Sequence, residues 1–463
     1  MAKKKPPIDS TTFQKIPSGR SILGTIGSGI ADFFTAFDSL KRMAVEDYCP
    51  IQGVVNDHTY FLNNTALVTV FEIKGATFLM GAAERTLFIS ELKDLFTTVL
   101  RDQNAAIQMV YQRDRIQVKD KLKGYYAPLL GKAKALRINA DGLINERIER
   151  MLPYLSGTEV YIVLYTYPHQ LISKEAMKEF RKHQKESRGP DFPWERFDGI
   201  QIYNEPDVVE HRHDATARTL EGALKKLRLD NKKLTVSEAI TLARRMTFPS
   251  ETSPHWKPRL PGDAIDPRLH QMDPVGNQGD FLDAIAYPTI GRQFAAAAVQ
   301  KADALDSVVQ VGERFVASQL MELTPTSPKA FEDFLEHIGD IDLPLRVSMV
   351  FHGGSEAYAG KISSKKGLSY LAALTSPSHN RKIGAAGETL TSDIEEKGRQ
   401  PCGFNMIVST WGDSRRQASE RIKKMGRALD AWGDVQSAPE VGDPFLAFTA
   451  TLPGWANNLR LNL

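Results

Sequence analysis

Ala66-Leu67-Val68-Thr69-Val70-Phe71-Glu72-Ile73-Lys74 is the stretch on which the fold reading turns. It is rich in β-branched and aromatic residues and stops at Gly75, so it predicts a strand. Residues 85–101 then predict a helix, with Leu87, Phe88, Leu92, Leu95, Phe96, Val99 and Leu100 on one side. Residues 106–112 predict a second strand, 115–152 a long, charged, helix-rich stretch, 159–166 a third strand and 174–184 a polar helix. A similar order returns downstream. Residues 314–323 read as a strand, and 327–337 as a helix with Ser327 at the N-cap and Pro328 in the first turn. Residues 343–351 and 403–411 are strands, 365–396 are helix-rich, and a helix over 414–432 ends at Gly433. Residues 444–452 read as extended. Both halves therefore run strand, helix, strand, long helical stretch, strand, helix. That order predicts a mixed α+β fold of two ferredoxin-like or split-βαβ units with helical insertions.

The chain is 463 residues long, three units at about 150 residues per domain. Hydrophobic residues make up 42% and glycine adds 33 positions, an ordinary globular composition that excludes a mainly disordered or fibrous chain. Lys+Arg 59 against Asp+Glu 56 gives +3, too near neutral for a dedicated duplex-DNA coat. No apolar run approaches the ~18 residues needed to span a bilayer. Lys3-Lys4-Lys5-Pro6-Pro7 has no apolar core behind it and is not a secretory signal. Cys49 and Cys402 form one disulfide at most and read as reduced thiols of a cytoplasmic protein, Cys402 as a buried one.

The predicted division is a flexible arm with an amphipathic helix over 1–50, a first unit over 51–205, a helical and Pro-rich insertion over 206–310, and a second unit over 311–463. In the first segment Ile22, Ile26, Ile30, Phe33, Phe37 and Leu40 form one apolar stripe at helical spacing. Gly24, Gly27 and Gly29 each weaken that helix by about 1 kcal/mol, so it needs a surface to lie on. The surface is either its own domain or a partner or bilayer interface. In the insertion, 216–229 and 235–246 read as helical, and Pro249, Pro254, Pro258, Pro261, Pro267 and Pro274 prevent regular structure.

Chemistry-bearing motifs are sparse. Gly354-Ser355-Glu356-Ala357-Tyr358-Ala359-Gly360-Lys361-Ile362 only approximates a phosphate-binding loop. Its spacer is one residue too long, and Ile362 cannot ligate Mg²⁺. His211 and His213 share a side only in an extended segment, and a zinc would need a third ligand from elsewhere. Residues 212–245 carry nine Lys/Arg against four Asp/Glu. Lys225, Lys226, Arg228, Lys232 and Lys233 are the candidate nucleic-acid contacts there, against the alternative of a solvated helical face. A second basic stretch, Lys119, Lys121, Lys123, Lys132, Lys134 and Arg137, has Tyr125 and Tyr126 as candidate base-stacking rings.

Three segments read together resemble one family. Residues 59–75, with the strand Ile107-Gln108-Met109-Val110-Tyr111-Gln112-Arg113-Asp114, look like the opening strands of the large type IV secretion and conjugation ATPases. Phe404-Asn405-Met406-Ile407-Val408-Ser409-Thr410-Trp411-Gly412-Asp413-Ser414 resembles the late strand–helix unit of the same N-terminal region. Phe445-Leu446-Ala447-Phe448-Thr449-Ala450-Thr451-Leu452-Pro453-Gly454 is similar to the segment before the motor domain. The likeness runs over residues 50–463 and is nearest to the TraU/IcmB/DotO branch. It implies a docking and oligomerisation module on the cytoplasmic face of the bacterial inner membrane. Its implied partners are inner-membrane secretion proteins, other copies in a hexamer and a second cytoplasmic ATPase. It implies no cofactor and no catalytic residue in these residues, with ATP and Mg²⁺ bound only by a motor domain after Leu463. A stand-alone nucleic-acid-binding adaptor of a DNA transfer system is the alternative.

Overall fold

A hairpin starts the sheet. The computed structural model describes residues 44–101, 104–114, 116–155, 157–167, 206–260, 289–301, 306–323, 334, 343–354, 402–433 and 435–456. The apolar helix expected over residues 21–40 lies outside them, as do those expected over 174–184 and 365–396 and nearly all of that over 327–337. After a 3₁₀ turn at Val45–Tyr48 come β1 (Ile51–Asn56), β2 (Thr59–Leu62) and β3 (Leu67–Ala76). Gly75, at φ +125°, lies within the last residues of β3. Then follow α1 (Ala82–Val99), β4 (Ala105–Arg113), α2 (Ile116–Ala135), α3 (Asp141–Met151), β5 (Thr158–Thr166), α4 (Pro206–Lys226), β6 (Leu229–Lys233) and α5 (Val236–Thr247). The second half holds α6 (Ile290–Phe294), β7 (Val299–Lys301), β8 (Val308–Val311), β9 (Arg314–Leu323), β10 (Leu345–His352), β11 (Gly403–Gly412), α7 (Arg415–Gly433), β12 (Gln436–Pro439) and α8 (Pro444–Ala450).

The strand pairings give the expected α+β architecture. In the first half β5 lies between β3 and β4 and is antiparallel to both. β3 and β4 are therefore parallel, joined through α1 as a split βαβ. β6 is antiparallel to β3 on its other side, so β5 and β6 are also parallel, joined through α4. The order β6-β3-β5-β4 is ferredoxin-like. The second half repeats it as β12-β9-β11-β10. β1 and β2 extend the first unit beside β6, and β7 and β8 extend the second beside β12. Residues 206–310 thus supply strands to both units.

The two units share one twelve-stranded sheet. β4 and β10 run antiparallel over eight paired positions, from Arg113↔Leu345 to Ala106↔His352, with Met109 opposite Met349. The sheet is symmetric in element order about this pair.

Period-two alternation sends side chains to the two faces of the sheet, where they form three core clusters. On one face a single cluster crosses the junction: Val68, Val70, Val110 and Tyr165 from the first half, and Val316, Val350 and Trp411 from the second. α5, α6, α8 and the turn after α8 cover it with Ile240, Met246, Phe294, Phe445, Phe448 and Trp455. On the other face α1 and α4 cover Phe71, Ile107, Ile162 and Leu164. α7 covers Val347, Met349, Met406 and Val408 there through Ile422, Met425 and Leu429. Each fully buried side chain of this size contributes about 1.5–3 kcal/mol.

Two local expectations are corrected. Residues 444–452 are not extended: Asp443 caps α8 by accepting from the Leu446 amide at 3.0 Å, and Pro444 occupies the first turn. Residues 229–233 are not a link between helices but strand β6, held to the β3 edge.

Candidate functional site

An array of buried polar contacts fixes residues 444–456 to the centre of the sheet. All seven residues of α8 are buried. Gln108, on β4, points inward among apolar neighbours. Its Nε2 donates to Ser348 Oγ at 2.9 Å and to the Leu452 carbonyl at 3.0 Å. Its Oε1 accepts from the Tyr165 hydroxyl at 2.7 Å and from the Gly454 amide at 2.9 Å. The Tyr165 hydroxyl in turn accepts from the Ala456 amide at 3.2 Å. Gly454 sits at φ +83°, and a Cβ there would collide with the Tyr60 hydroxyl. Two reasons therefore require glycine at this turn.

Arg346, on β10, is the second anchor. It is fully buried. Its Nε donates to Gln112 Oε1 at 2.7 Å, one Nη to Thr451 Oγ1 at 3.2 Å and the other to the Met246 carbonyl at 3.1 Å. The guanidinium also lies 5.5 Å from the Trp411 ring centroid and 5.0 Å from that of Phe448. Burial lowers its pKa to about 9, with the Asp114 and Glu159 carboxylates opposing the shift. One side chain therefore touches β4, α5, β11 and the segment after α8. What the array does is mechanical: a charged fork and an amide lock four elements, and the Ser348, Tyr165 and Thr451 hydroxyls are all taken up in its hydrogen bonds.

His213 lies on the opposite face of the sheet. It is buried on α4, its Nε2 2.8 Å from Thr69 Oγ1 and its Nδ1 2.8 Å from Thr166 Oγ1. Burial, helped by the Lys233 charge, drives its pKa down to about 3. It is neutral at physiological pH and serves as a hydrogen-bonded strut. His211 is exposed. Two positions apart on a helix is ~200° of rotation, so the pair diverges. Among the described residues no group of three His, Cys, Asp or Glu could hold a metal ion.

The candidate basic residues do not gather on one surface. Lys225 and Lys226 are exposed on the last turn of α4, where Lys225 pairs with Glu221 at 2.5 Å. Arg228 follows at φ 55°, its guanidinium 5.4 Å from the Phe78 ring centroid. Lys232 and Lys233 alternate across β6. Lys232 faces α5 and pairs with Glu238 at 2.6 Å, while Lys233 faces the His213 side. Lys232 lines an open cavity of about 300 Å³ with Glu72, Tyr161, Arg245, Trp256 and Lys257. The Arg244 guanidinium stacks 4.2 Å from the Trp256 centroid beside it.

In the other basic stretch, Tyr126 is buried against Ile144 and Ile148 and only Tyr125 is exposed. Cys49 is buried with its thiol pushed up to about 12, and Cys402, expected to be buried, is exposed. Cys402 precedes the first residue of β11, so the strand's alternation does not reach it. Gly354, at φ 105°, donates to the Leu100 carbonyl at 3.1 Å, and residues 355–362 of the glycine-bearing loop lie outside the described residues. Residues 22–40 of the apolar stripe do so too. Among the described residues no helix is long and apolar enough to cross a membrane.

Sequence reasoning missed Gln108, Arg346 and Asp443. The signal was there: a polar residue on the inward phase of an otherwise apolar strand, and Asp-Pro before an apolar run.

Comparison with protein-family models gives no match, and comparison with curated proteins gives none either.

Proposed function

We propose that this chain is a docking and oligomerisation module of the energising ATPase of a type IV secretion or conjugation system. It would act at the cytoplasmic face of the inner membrane. One observation carries the reading. The segment that resembles the run-up to the motor, residues 445–454, is buried against the sheet and bonded to both halves through Gln108 and Arg346. A domain following such a segment would move with the whole sheet rather than swing on a linker. That is what a base needs if it is to hold a motor in register within an oligomer. The resemblance supplies the system; the locked segment supplies the mechanical role.

The experiment is to tag the gene product in its own cell and purify it from gently solubilised inner membranes. Co-purification with other secretion components, and loss of transfer when the gene is deleted, is the expected result. Tight ATP binding by these 463 residues alone would sink the reading. Retention on single-stranded DNA at physiological salt would replace it with the adaptor reading.

A further inference from the structure

We propose that the turn of the α2–α3 hairpin is a contact site for an anionic lipid surface. The inference deepens the docking reading and rests on it for its setting.

The hairpin leaves the sheet between β4 and β5 and builds a small core of its own from Tyr126, Ile144 and Ile148, with Leu122, Leu130, Ala140 and Leu152 around it. That core uses the inward faces of both helices. At the turn a second apolar set points away from it. Leu136 is 71% exposed, Ile138 57% and Leu143 72%. Three large aliphatic side chains are thus grouped at the end of a projecting element. Twenty helical residues in α2 give a shaft of ~30 Å. Exposed aliphatic side chains at a helical turn are a set that can enter a bilayer interface.

The charges around the tip select the surface. Lys132, Lys134 and Arg137 are all exposed beside the apolar group, with Lys123 about two and a half turns further up the shaft than Lys132. Asp141 is the one acid among residues 129–145, so the tip carries a net positive charge. Lysines placed just behind an apolar tip can lay their stems along acyl chains while their ammonium groups meet phosphates. An anionic leaflet complements both features at once.

The turn is rigid enough to present them. The Ile138 amide donates to the Ala133 carbonyl at 2.9 Å and the Arg137 amide to the Lys134 carbonyl at 3.0 Å, a Schellman closure. Its left-handed position, φ 58°, is held by Arg137 where glycine is the unstrained residue.

The test is flotation of the full chain with vesicles of phosphatidylcholine, alone or with about a third phosphatidylglycerol. Binding to the anionic vesicles only, weakened by salt, is expected. Leu136→Glu with Ile138→Glu should lower that binding at least tenfold. Lys132→Gln with Lys134→Gln should lower it several-fold and flatten the salt dependence. All four side chains are exposed, so an unchanged denaturation midpoint confirms that the fold survives. As an independent readout, Leu143→Trp should add a blue-shifted emission component on anionic vesicles. Equal binding to neutral vesicles, unchanged binding by the Leu136/Ile138 variant, or no emission shift overturns the proposal. A tip that binds a secretion protein but no vesicle also overturns it. In that outcome co-purification with the inner-membrane components persists, so the docking reading survives its failure.

Discussion

Gln108 Nε2 donates to the Leu452 carbonyl oxygen at 3.0 Å, joining residues 344 positions apart. The bond links a central strand of the sheet to the turn that follows α8. Gln108→Leu would leave the Leu452 carbonyl, the Gly454 amide and the Tyr165 hydroxyl short of a buried partner. At about 1–3 kcal/mol for each orphaned group, a loss of about 4 kcal/mol is expected. Denaturant unfolding measures it. Limited proteolysis should also show earlier cleavage within residues 444–456 than in the unsubstituted chain.

Two glycines make opposite predictions. Gly454→Ala places a Cβ against the Tyr60 hydroxyl at a left-handed backbone position and should cost about 3 kcal/mol or more. Gly222, inside α4, has nothing within 4 Å of a built Cβ. Gly222→Ala should therefore stabilise by about 0.5–1 kcal/mol. Paired thermal melts decide both, and equal shifts would contradict the assigned environments.

His213 predicts an acid limb in stability. Its folded pKa, about 3, lies below the ordinary 6.5. Above that ordinary value both states hold the neutral ring and its contribution is complete. As pH falls below 6.5 the unfolded chain takes up a proton that the folded chain refuses, so stability is lost down to about pH 3. The slope from this group is at most about 1.4 kcal/mol per pH unit. His213→Gln should be less stable at pH 7 and show a flatter acid limb. An unchanged limb would mean that other groups dominate it.

Lys225→Gln, Lys226→Gln and Arg228→Asn together remove three exposed cations, and Asn tolerates the left-handed position of residue 228. Exposed ion pairs such as Lys225–Glu221 contribute little, so stability should change by no more than about 1 kcal/mol. Under the docking reading neither the original nor the variant is retained on single-stranded DNA at physiological salt. Retention that the variant loses would locate a nucleic-acid surface at the end of α4.

The repeated order of strands and helices was legible because Leu67–Ala76, Ala105–Arg113, Thr158–Thr166, Leu345–His352 and Gly403–Gly412 are long, apolar and β-branched. β6 was not, since Leu229-Asp230-Asn231-Lys232-Lys233 has almost no apolar content and is a strand because β3 offers it an open edge. α8 misled for the opposite reason. Phe445 to Leu452 is apolar on every side, and a fully buried run has no period to read. β7 and β8 are too short to stand out behind a proline-rich stretch. The locked segment depends on β4 meeting β10, a pairing across more than two hundred residues that no local pattern encodes. Gln108 and Arg346 read locally as interruptions of strands and become anchors only once that pairing exists.

The antiparallel seam between β4 and β10 also bears on how the chain avoids misassembly. Each of these strands, nine and eight residues long and largely apolar, would be an unshielded edge if its half stood alone. Long bare edges recruit other strands. Either half made separately should therefore pair with a second copy of itself along that edge, or aggregate. With both halves present the seam is closed, and among the described residues β1 and β7, six and three residues long, are the outermost strands. Each half thus acts as the other's guard against misassembly, and folding is complete only when both have been synthesised.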